Sequence, residues 1–77
     1  MDINTFVDQV AEQFDDLGNA VITADSNFRD LPSWCSLVAL SIMSMIDDEY
    51  GVRLRGDDVR NSKTIRDIFD KVVAKKG

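Results

Sequence analysis

Apolar residues recur at helical spacing in three stretches of the chain, and this pattern predicts an all-α fold. The first stretch predicts an amphipathic helix from about Asn4 to Asp16, which Gly18 and Asn19 end. Asp2 or Asn4 can cap this helix, because short polar side chains accept hydrogen bonds from unpaired backbone N–H groups. A long connection follows over residues 19–33, and its length indicates a functional loop or a structured crossover. Four apolar residues are expected to anchor it: Val21, Ile22, Phe28 and Leu31.

The second stretch predicts a longer helix that follows Pro32 and Ser33 and runs to about Tyr50. Gly51 is expected to end it in a left-handed conformation, which glycine adopts without steric cost. A helical wheel predicts a core face made of Ala39, Ile42, Met43, Ile46 and Tyr50. The opposite side carries Leu37, Ser41, Ser44 and Asp48, with Val38 and Met45 beside them. That outer side is unusually apolar, so it is a candidate surface for contact with another protein.

The remaining pattern predicts a loop and two further helices. Val52 and Leu54 alternate with arginines, but so short and isolated a run is expected to be an ordered loop rather than a strand. A one-turn helix is predicted over residues 57–61, and Thr64 with Asp67 resembles a capping box for a last helix. The apolar positions of that helix are Ile65, Ile68, Phe69, Val72 and Val73. The whole chain is therefore expected to form one domain, a bundle of three longer helices and one short helix with a long first loop.

Length and charge narrow the range of functions. A core built from 77 residues is expected to supply only about 3–5 kcal/mol of stability, so an enzyme with a deep cleft is not expected. Residues 1–50 carry ten acids and one base, whereas residues 51–77 carry four acids and eight bases. Such an acidic body repels nucleic acid and anionic membranes and attracts basic proteins, which are the expected partners. Three C-terminal lysines are expected to complement the negative end of the last helix: Lys71, Lys75 and Lys76.

The chain offers one serine that suits chemical modification. It has no histidine, so no imidazole is present to activate a nucleophile, and no enzymatic activity is expected. Ser36 lies at the predicted start of the second helix, where unpaired N–H groups favour an attached anion. Serine is also a preferred N-cap residue, and this purely structural role stays open for Ser36, although Ser33 offers another cap. Cys35 is the single cysteine, which rules out an internal disulfide and favours a cytoplasmic location.

A serine-leucine pair that opens a helix is followed here by an acidic cluster, an aromatic residue and an alternating apolar pair. The residues are Cys35-Ser36-Leu37, Asp47-Asp48-Glu49, Tyr50, Val52 and Leu54. Phe28, Asp30 and Leu31 precede this pattern, and Thr64, Ile65 and Asp67 follow it. Over almost the whole chain, the arrangement resembles the acyl carrier protein family.

The resemblance implies an acyl-carrier-like four-helix bundle whose Ser36 carries a covalent 4′-phosphopantetheine arm. A phosphopantetheinyl transferase would take this arm from coenzyme A. The thiol of the arm would hold acyl groups as thioesters and pass them between enzymes of fatty-acid, polyketide or specialised lipid synthesis. The carrier itself would catalyse nothing and would act as a monomer without a metal ion.

Residues around Ser36 are the expected contacts for partner enzymes, namely the transferase and acyl-loading or synthase enzymes with basic or apolar docking patches. The candidates are Trp34, Cys35, Leu37, Val38, Ser41, Met45, Asp47 and Asp48. Two of them depart from the family pattern, because Cys35 replaces an aspartate and Trp34 replaces a small residue. These departures leave open which transferase accepts the chain. A specialised carrier is favoured by Val38, Ser41 and Ser44, which stand where ordinary carriers often have acids or partner-facing residues.

Two other functions stay open at this point. A peptidyl carrier that loads amino acids for a peptide synthetase is favoured by the apolar second helix and opposed by the strong acidity. A small helical adaptor would use its acidic second helix only to bind proteins, with Ser36 as an unmodified cap. Cys35 is expected to be a buried or half-buried apolar residue, and Trp34 is expected to pack against the loop or the top of the bundle.

Overall fold

The computed structural model describes residues 2–18 and 20–76, and within these residues it contains helices but no strand. The helices are α1 (Ile3–Ala11), α2 (Ser36–Tyr50), α3 (Gly56–Arg60) and α4 (Ile65–Lys76), with a short 3-10 helix at Phe28–Asp30. The predicted all-α bundle of three longer helices and one short one is confirmed. Among the described residues, every helix is too short or too polar to cross a membrane.

Helix α1 begins where the sequence predicts but ends earlier. Asp2 is its N-cap, and the Asp2 carboxylate accepts a hydrogen bond of 3.1 Å from the backbone N–H of Asn4. The helix ends at Ala11, so the predicted end at Asp16 is wrong. Phe14 continues the apolar spacing and is 7% exposed, but it is buried from a turn rather than from a helix. The apolar spacing therefore continues beyond the end of the helix that it predicts.

The core lies between α1, α2 and α4, with the ring of Phe6 at its centre. Phe6 is fully buried, and its centroid lies 5.7 Å from that of Tyr50 in α2 and 5.3 Å from that of Phe69 in α4. The other fully buried large side chains are Val10, Phe28, Ile42, Ile46, Ile65, Ile68 and Val72. Burial of each is worth about 1.5–3 kcal/mol, so this cluster supplies most of the force that holds the three long helices together.

The buried face of α2 is not the predicted one. Its buried residues are Val38, Ile42, Met45 and Ile46. The prediction that Val38 and Met45 face outward is therefore wrong, whereas Leu37 and Leu40 are 74% and 59% exposed. Three residues of the predicted core face are only partly buried: Ala39, Met43 and Tyr50. The helical wheel predicted the wrong face because α2 is apolar on two sides. The hydrophobic pattern alone therefore does not say which side packs inward.

The connection between α1 and α2 is a structured crossover that binds α4. The backbone N–H of Arg66 donates to the carbonyl of Ala24 at 2.8 Å, and the Arg66 side chain pairs with Asp25 at 3.0 Å. Phe28 anchors the crossover in the core, but Val21 is 80% exposed, so its predicted anchoring role is wrong. The crossover thus belongs to the folded unit and determines where α2 begins.

The predicted end of α2 and the predicted start of α4 are confirmed, and the short helix α3 lies one residue before its predicted range of 57–61. Gly51 ends α2 with φ of 67°, in the left-handed region. Thr64 and Asp67 form the capping box of α4: the Asp67 carboxylate accepts from the Thr64 N–H at 3.1 Å, and the Thr64 hydroxyl accepts from the Asp67 N–H at 3.2 Å. The predicted ordered loop after α2 is also confirmed, because Val52 and Leu54 are both buried without forming a strand.

Two of the three C-terminal lysines lie in the last turn of α4 as expected, and all three reach other elements of the bundle. Lys76 donates to the carbonyl of Tyr50 at the end of α2, at 2.9 Å. Lys71 donates to the carbonyl of Asp58 at 2.8 Å, and Lys75 lies 3.6 Å from the Asp58 carboxylate. The basic second half of the chain therefore stabilises helix ends within the bundle.

We predict that Val38→Asp unfolds most of the protein, because it places an unpaired carboxylate in the core. Uncompensated buried charge costs about 3–5 kcal/mol, which is similar to the whole stability of so small a domain. Leu40→Asp, a similar change on the exposed side of the same helix, is expected to cost about 1 kcal/mol or less. Urea unfolding followed by circular dichroism measures both. Equal losses in the two variants would contradict the burial of Val38.

We further predict that acid destabilises the protein partly through Asp67. Hydrogen bonds from the backbone N–H groups of Lys63 and Thr64 lower the pKa of Asp67, because they favour its charged form. A lowered pKa means that this contribution is present above the ordinary aspartate value of about 4 and is lost as the pH falls through the lowered pKa.

The test compares melting temperatures of the wild type and Asp67→Asn from neutral pH downward. Asp67→Asn removes the titrating group, so its melting temperature should fall less steeply below about pH 4. Asp70→Asn, on the exposed side of the same helix, controls for the loss of one negative charge. Equal slopes for the wild type and Asp67→Asn would show that this cap does not contribute to acid sensitivity.

Candidate functional site

Ser36 is exposed at the N-terminal end of α2, but it is not the cap of that helix. Cys35 is the N-cap residue: its backbone is extended, and its carbonyl accepts the first helical bond, of 3.1 Å, from the N–H of Ala39. The Cys35 side chain makes no capping hydrogen bond. The alternative that was left open, in which Ser36 serves as the N-cap, is therefore wrong. Ser36 is the first residue of the helix, where backbone N–H groups lack helical partners.

Ser33, the other candidate cap, stabilises the turn before α2 instead. Its hydroxyl donates to the carbonyl of Asp16 at 2.8 Å, and the Asp16 carboxylate accepts from the N–H of Gly18 at the same distance. Ser33 has φ of 69°, which is uncommon for a residue with a side chain and persists only where surrounding contacts hold it. These contacts join the two ends of the crossover and so determine where Ser36 lies.

Trp34 forms an aromatic cluster with Phe28 and Phe14 beside Ser36. Its ring centroid lies 4.9 Å from that of Phe28 and 6.1 Å from that of Phe14, and both partners are buried. The expectation that Trp34 packs against the loop is confirmed. Its side chain is only partly buried, and it helps to line a groove that also contains Ser36.

This groove has a volume of about 510 Å³ and lies between α2 and α3. From α2 it is lined by Ser36, Ala39, Leu40 and Met43; from α3 by Gly56, Val59 and Arg60; and from the crossover by Arg29 and Trp34. Ser36, Leu40 and Met43 are separated by four and three residues, which places them along one side of the helix. The lining is mainly apolar and includes the cationic side chains of Arg29 and Arg60, so the groove suits an apolar group attached near Ser36.

A second hollow, of about 410 Å³, continues along the same side of α2. It shares Leu40 and Met43 with the groove. Its other lining residues are Ser44, Asp47, Arg53 and Leu54. The Arg53 guanidinium lies 3.9 Å from the Asp47 carboxylate. The apolar side of α2 therefore leads from Ser36 towards a charged pair near the end of the helix.

The candidate partner residues are divided between surface and core. Cys35, Leu37, Asp47 and Asp48 are exposed, and Trp34 and Ser41 are partly buried. Val38 and Met45 are in the core and cannot meet a partner without unfolding of α2. Cys35 was expected to be at least half-buried, and this expectation is wrong because the residue is exposed just before α2.

Sequence reasoning missed Leu40, Arg29 and Arg60 as residues of the site. Leu40 had a usable signal, since it lies four residues after Ser36 and three after Leu37, and so shares their exposed surface. The two arginines had none, because their place beside Ser36 comes from the packing of α3 and the crossover against α2.

The charges of α2 are concentrated at its C-terminal end, where the helix dipole disfavours them. Asp47, Asp48 and Glu49 are exposed there, and the bond from Lys76 to the Tyr50 carbonyl partly offsets their charge. Burial raises the pKa of Tyr50, and the nearby Glu49 carboxylate raises it further. Among residues 2–18 and 20–76, no three potential ligand side chains of histidine, cysteine, aspartate or glutamate lie close enough to hold a metal ion.

A scan against protein-family models finds no family that matches the chain, and a search of curated proteins finds no matching relative. The function is therefore inferred from the site.

Proposed function

We propose that the protein is a carrier that holds acyl intermediates as thioesters on a 4′-phosphopantetheine arm attached to Ser36. One observation carries this proposal. An exposed serine begins a 15-residue helix and also lines an apolar groove that runs along that helix. The resemblance of the sequence to acyl carrier proteins points to the same serine.

The attachment step uses the hydroxyl of Ser36 as the nucleophile and depends on another enzyme for activation. The Ser36 Oγ attacks the phosphorus of coenzyme A that bears pantetheine, the bond from that phosphorus to the nucleotide part breaks, and a base of the transferase takes the hydroxyl proton. The resulting phosphodiester carries a negative charge at the start of α2. The helix dipole and unpaired N–H groups there favour it by about 0.3–1 kcal/mol when exposed.

The apolar lining of the groove favours an acyl group as the cargo. Each methylene group that leaves water for an apolar lining gains about 0.8 kcal/mol, so part of a growing chain is more stable there than in solvent. Leu40, Met43 and Val59 provide such a lining next to Ser36. An amino acid has less apolar surface to bury, and the groove therefore favours an acyl carrier over a peptidyl carrier.

The exposed residues beside Ser36 are the proposed contacts for partner enzymes. Leu37 keeps this predicted role, and Leu40 takes the place of Val38 and Met45, because the latter pair is buried. Burying an exposed leucine in an interface is worth about 1.5–3 kcal/mol before ordering costs, whereas an exposed ion pair is worth about 0–1 kcal/mol. We therefore propose that apolar contact dominates docking of the transferase, and that Asp47 and Asp48 attract its basic surface.

Incubation with coenzyme A and a broad-specificity transferase is predicted to add the mass of one phosphopantetheine to the chain. Ser36→Ala removes the only oxygen that the proposal uses, so it should abolish the addition. Ser44→Ala, which changes an exposed serine of the same helix, should leave it intact. Intact mass spectrometry measures all three. Addition to Ser36→Ala, or no addition to the wild type with several transferases, would overturn the assignment.

Leu37→Asp and Leu40→Asp are each predicted to lower kcat/KM for that transferase by about tenfold, equivalent to about 1.4 kcal/mol. The loss should persist at high salt, because it comes from apolar contact. Asp48→Asn should have a smaller effect that disappears as salt screens the charge. The rate of the mass change, measured at low and high salt, distinguishes apolar contact from electrostatic attraction. Normal rates for both leucine variants, with a large loss for Asp48→Asn, would show that docking is electrostatic.

A further inference from the structure

Arg29 joins the crossover to the C-terminal end of α3. Its guanidinium donates to three backbone carbonyls: Val59 at 2.9 Å, Arg60 at 3.0 Å and Ser62 at 2.6 Å. Carbonyls at the end of a helix have no partner within it and carry the negative end of the helix dipole. A planar guanidinium with several N–H donors suits such a group of acceptors.

The position of Arg29 is itself fixed by the core. Its guanidinium carbon lies 4.8 Å from the centroid of the Phe28 ring, a cation–π distance. Phe28 is fully buried and packs against Trp34, which lines the groove beside Ser36. Arg29 therefore connects the aromatic cluster beside Ser36 to α3.

Helix α3 has little else to hold it on the groove side. It has five residues, too few to be stable alone, and Val59 is its buried residue. Its remaining strong contacts come from α4, where Lys71 donates to the Asp58 carbonyl and to the Ser62 hydroxyl, each at 2.8 Å. Lys71 lines a separate hollow, whereas Arg29 lines the groove. Cationic side chains thus hold α3 from two sides.

We propose that Arg29 is the positioning residue of the groove: its hydrogen bonds hold α3 in place as one wall and set how often the groove opens. A ligand held between these two facing walls is expected to exchange faster when α3 separates from α2 more often. That this ligand is an acyl chain rests on the proposed function, but the role of Arg29 in holding α3 does not.

Amide hydrogen exchange on the unmodified chain tests the contact between Arg29 and α3. Arg29→Lys keeps the charge but lacks the planar set of donors, so the amides of Asn61 and Ser62 should exchange about tenfold faster. Amides in the middle of α1 and α4 should keep their wild-type rates. Arg66→Lys is the matched control, since Arg66 pairs with Asp25 and does not bind α3. Unchanged exchange of the Asn61 and Ser62 amides, or equal acceleration in every helix, would overturn the proposal.

Ligand kinetics test the link to the groove, again on the unmodified chain. Diphenylhexatriene is a neutral apolar dye that accepts energy from tryptophan, so its binding quenches Trp34, the single tryptophan. Arg29→Lys should raise the association and dissociation rates together by about tenfold and leave Kd within about twofold, because it changes opening rather than contact with the dye. Arg66→Lys should leave both rates unchanged.

Two results of the dye experiment would overturn the proposal. Failure of the wild type to bind the dye would show that the groove takes no apolar ligand. A changed Kd with an unchanged association rate would show that Arg29 acts by touching the ligand. Neither experiment uses the arm, so failure of Ser36 to be modified would overturn the proposed function and leave this inference standing.

Discussion

Burial of one stripe of α2 against α1 and α4 determines the rotation of that helix, and the candidate site depends on this rotation. Val38 and Ile42 pack inward from the stripe, so Ser36 and Leu40 lie on the side that borders α3. A change of rotation by one residue, about 100°, would turn Ser36 away from the groove. The large free energy of core burial therefore holds a small polar group in a defined place, although Ser36 itself contributes little to stability.

Parts of the bundle are held with very different strength. The long helices meet around Phe6, whereas α3 buries Val59 and otherwise depends on hydrogen bonds from Arg29 and Lys71. Segments with few buried apolar contacts open at a lower free-energy cost than the core does. The proposed carrier function would use this combination, because it would keep the helix that bears Ser36 in place while the wall beside Ser36 moves. This difference in stability between the long helices and α3 follows from the packing alone.

Basic residues in the second half of the chain contact the acidic first half at the surface of the bundle. Lys76 binds the end of α2, Arg66 pairs with Asp25 of the crossover, and Arg53 approaches Asp47, so basic residues of the second half meet acceptors of the first half. Exposed pairs of this kind are each worth about 0–1 kcal/mol, less than a buried aromatic ring. They leave Asp48 and Glu49 exposed near the end of α2, where a basic partner can reach them.

The sequence by itself determined the features that depend on neighbouring residues. The cap at Asp2, the capping box of Thr64 and Asp67 and the left-handed turn at Gly51 each involve contacts within a few positions, so local chemistry is enough to predict them.

Only the tertiary structure decided the end of α1, the inward face of α2 and the role of Arg29. Apolar spacing continued to Phe14 because the core extends beyond the helix, and α2 had two apolar sides because one packs inward and the other lines a groove. The carbonyls that Arg29 binds lie 30 to 33 residues away along the chain. Such partners meet only when the whole chain has packed, and no local pattern specifies them.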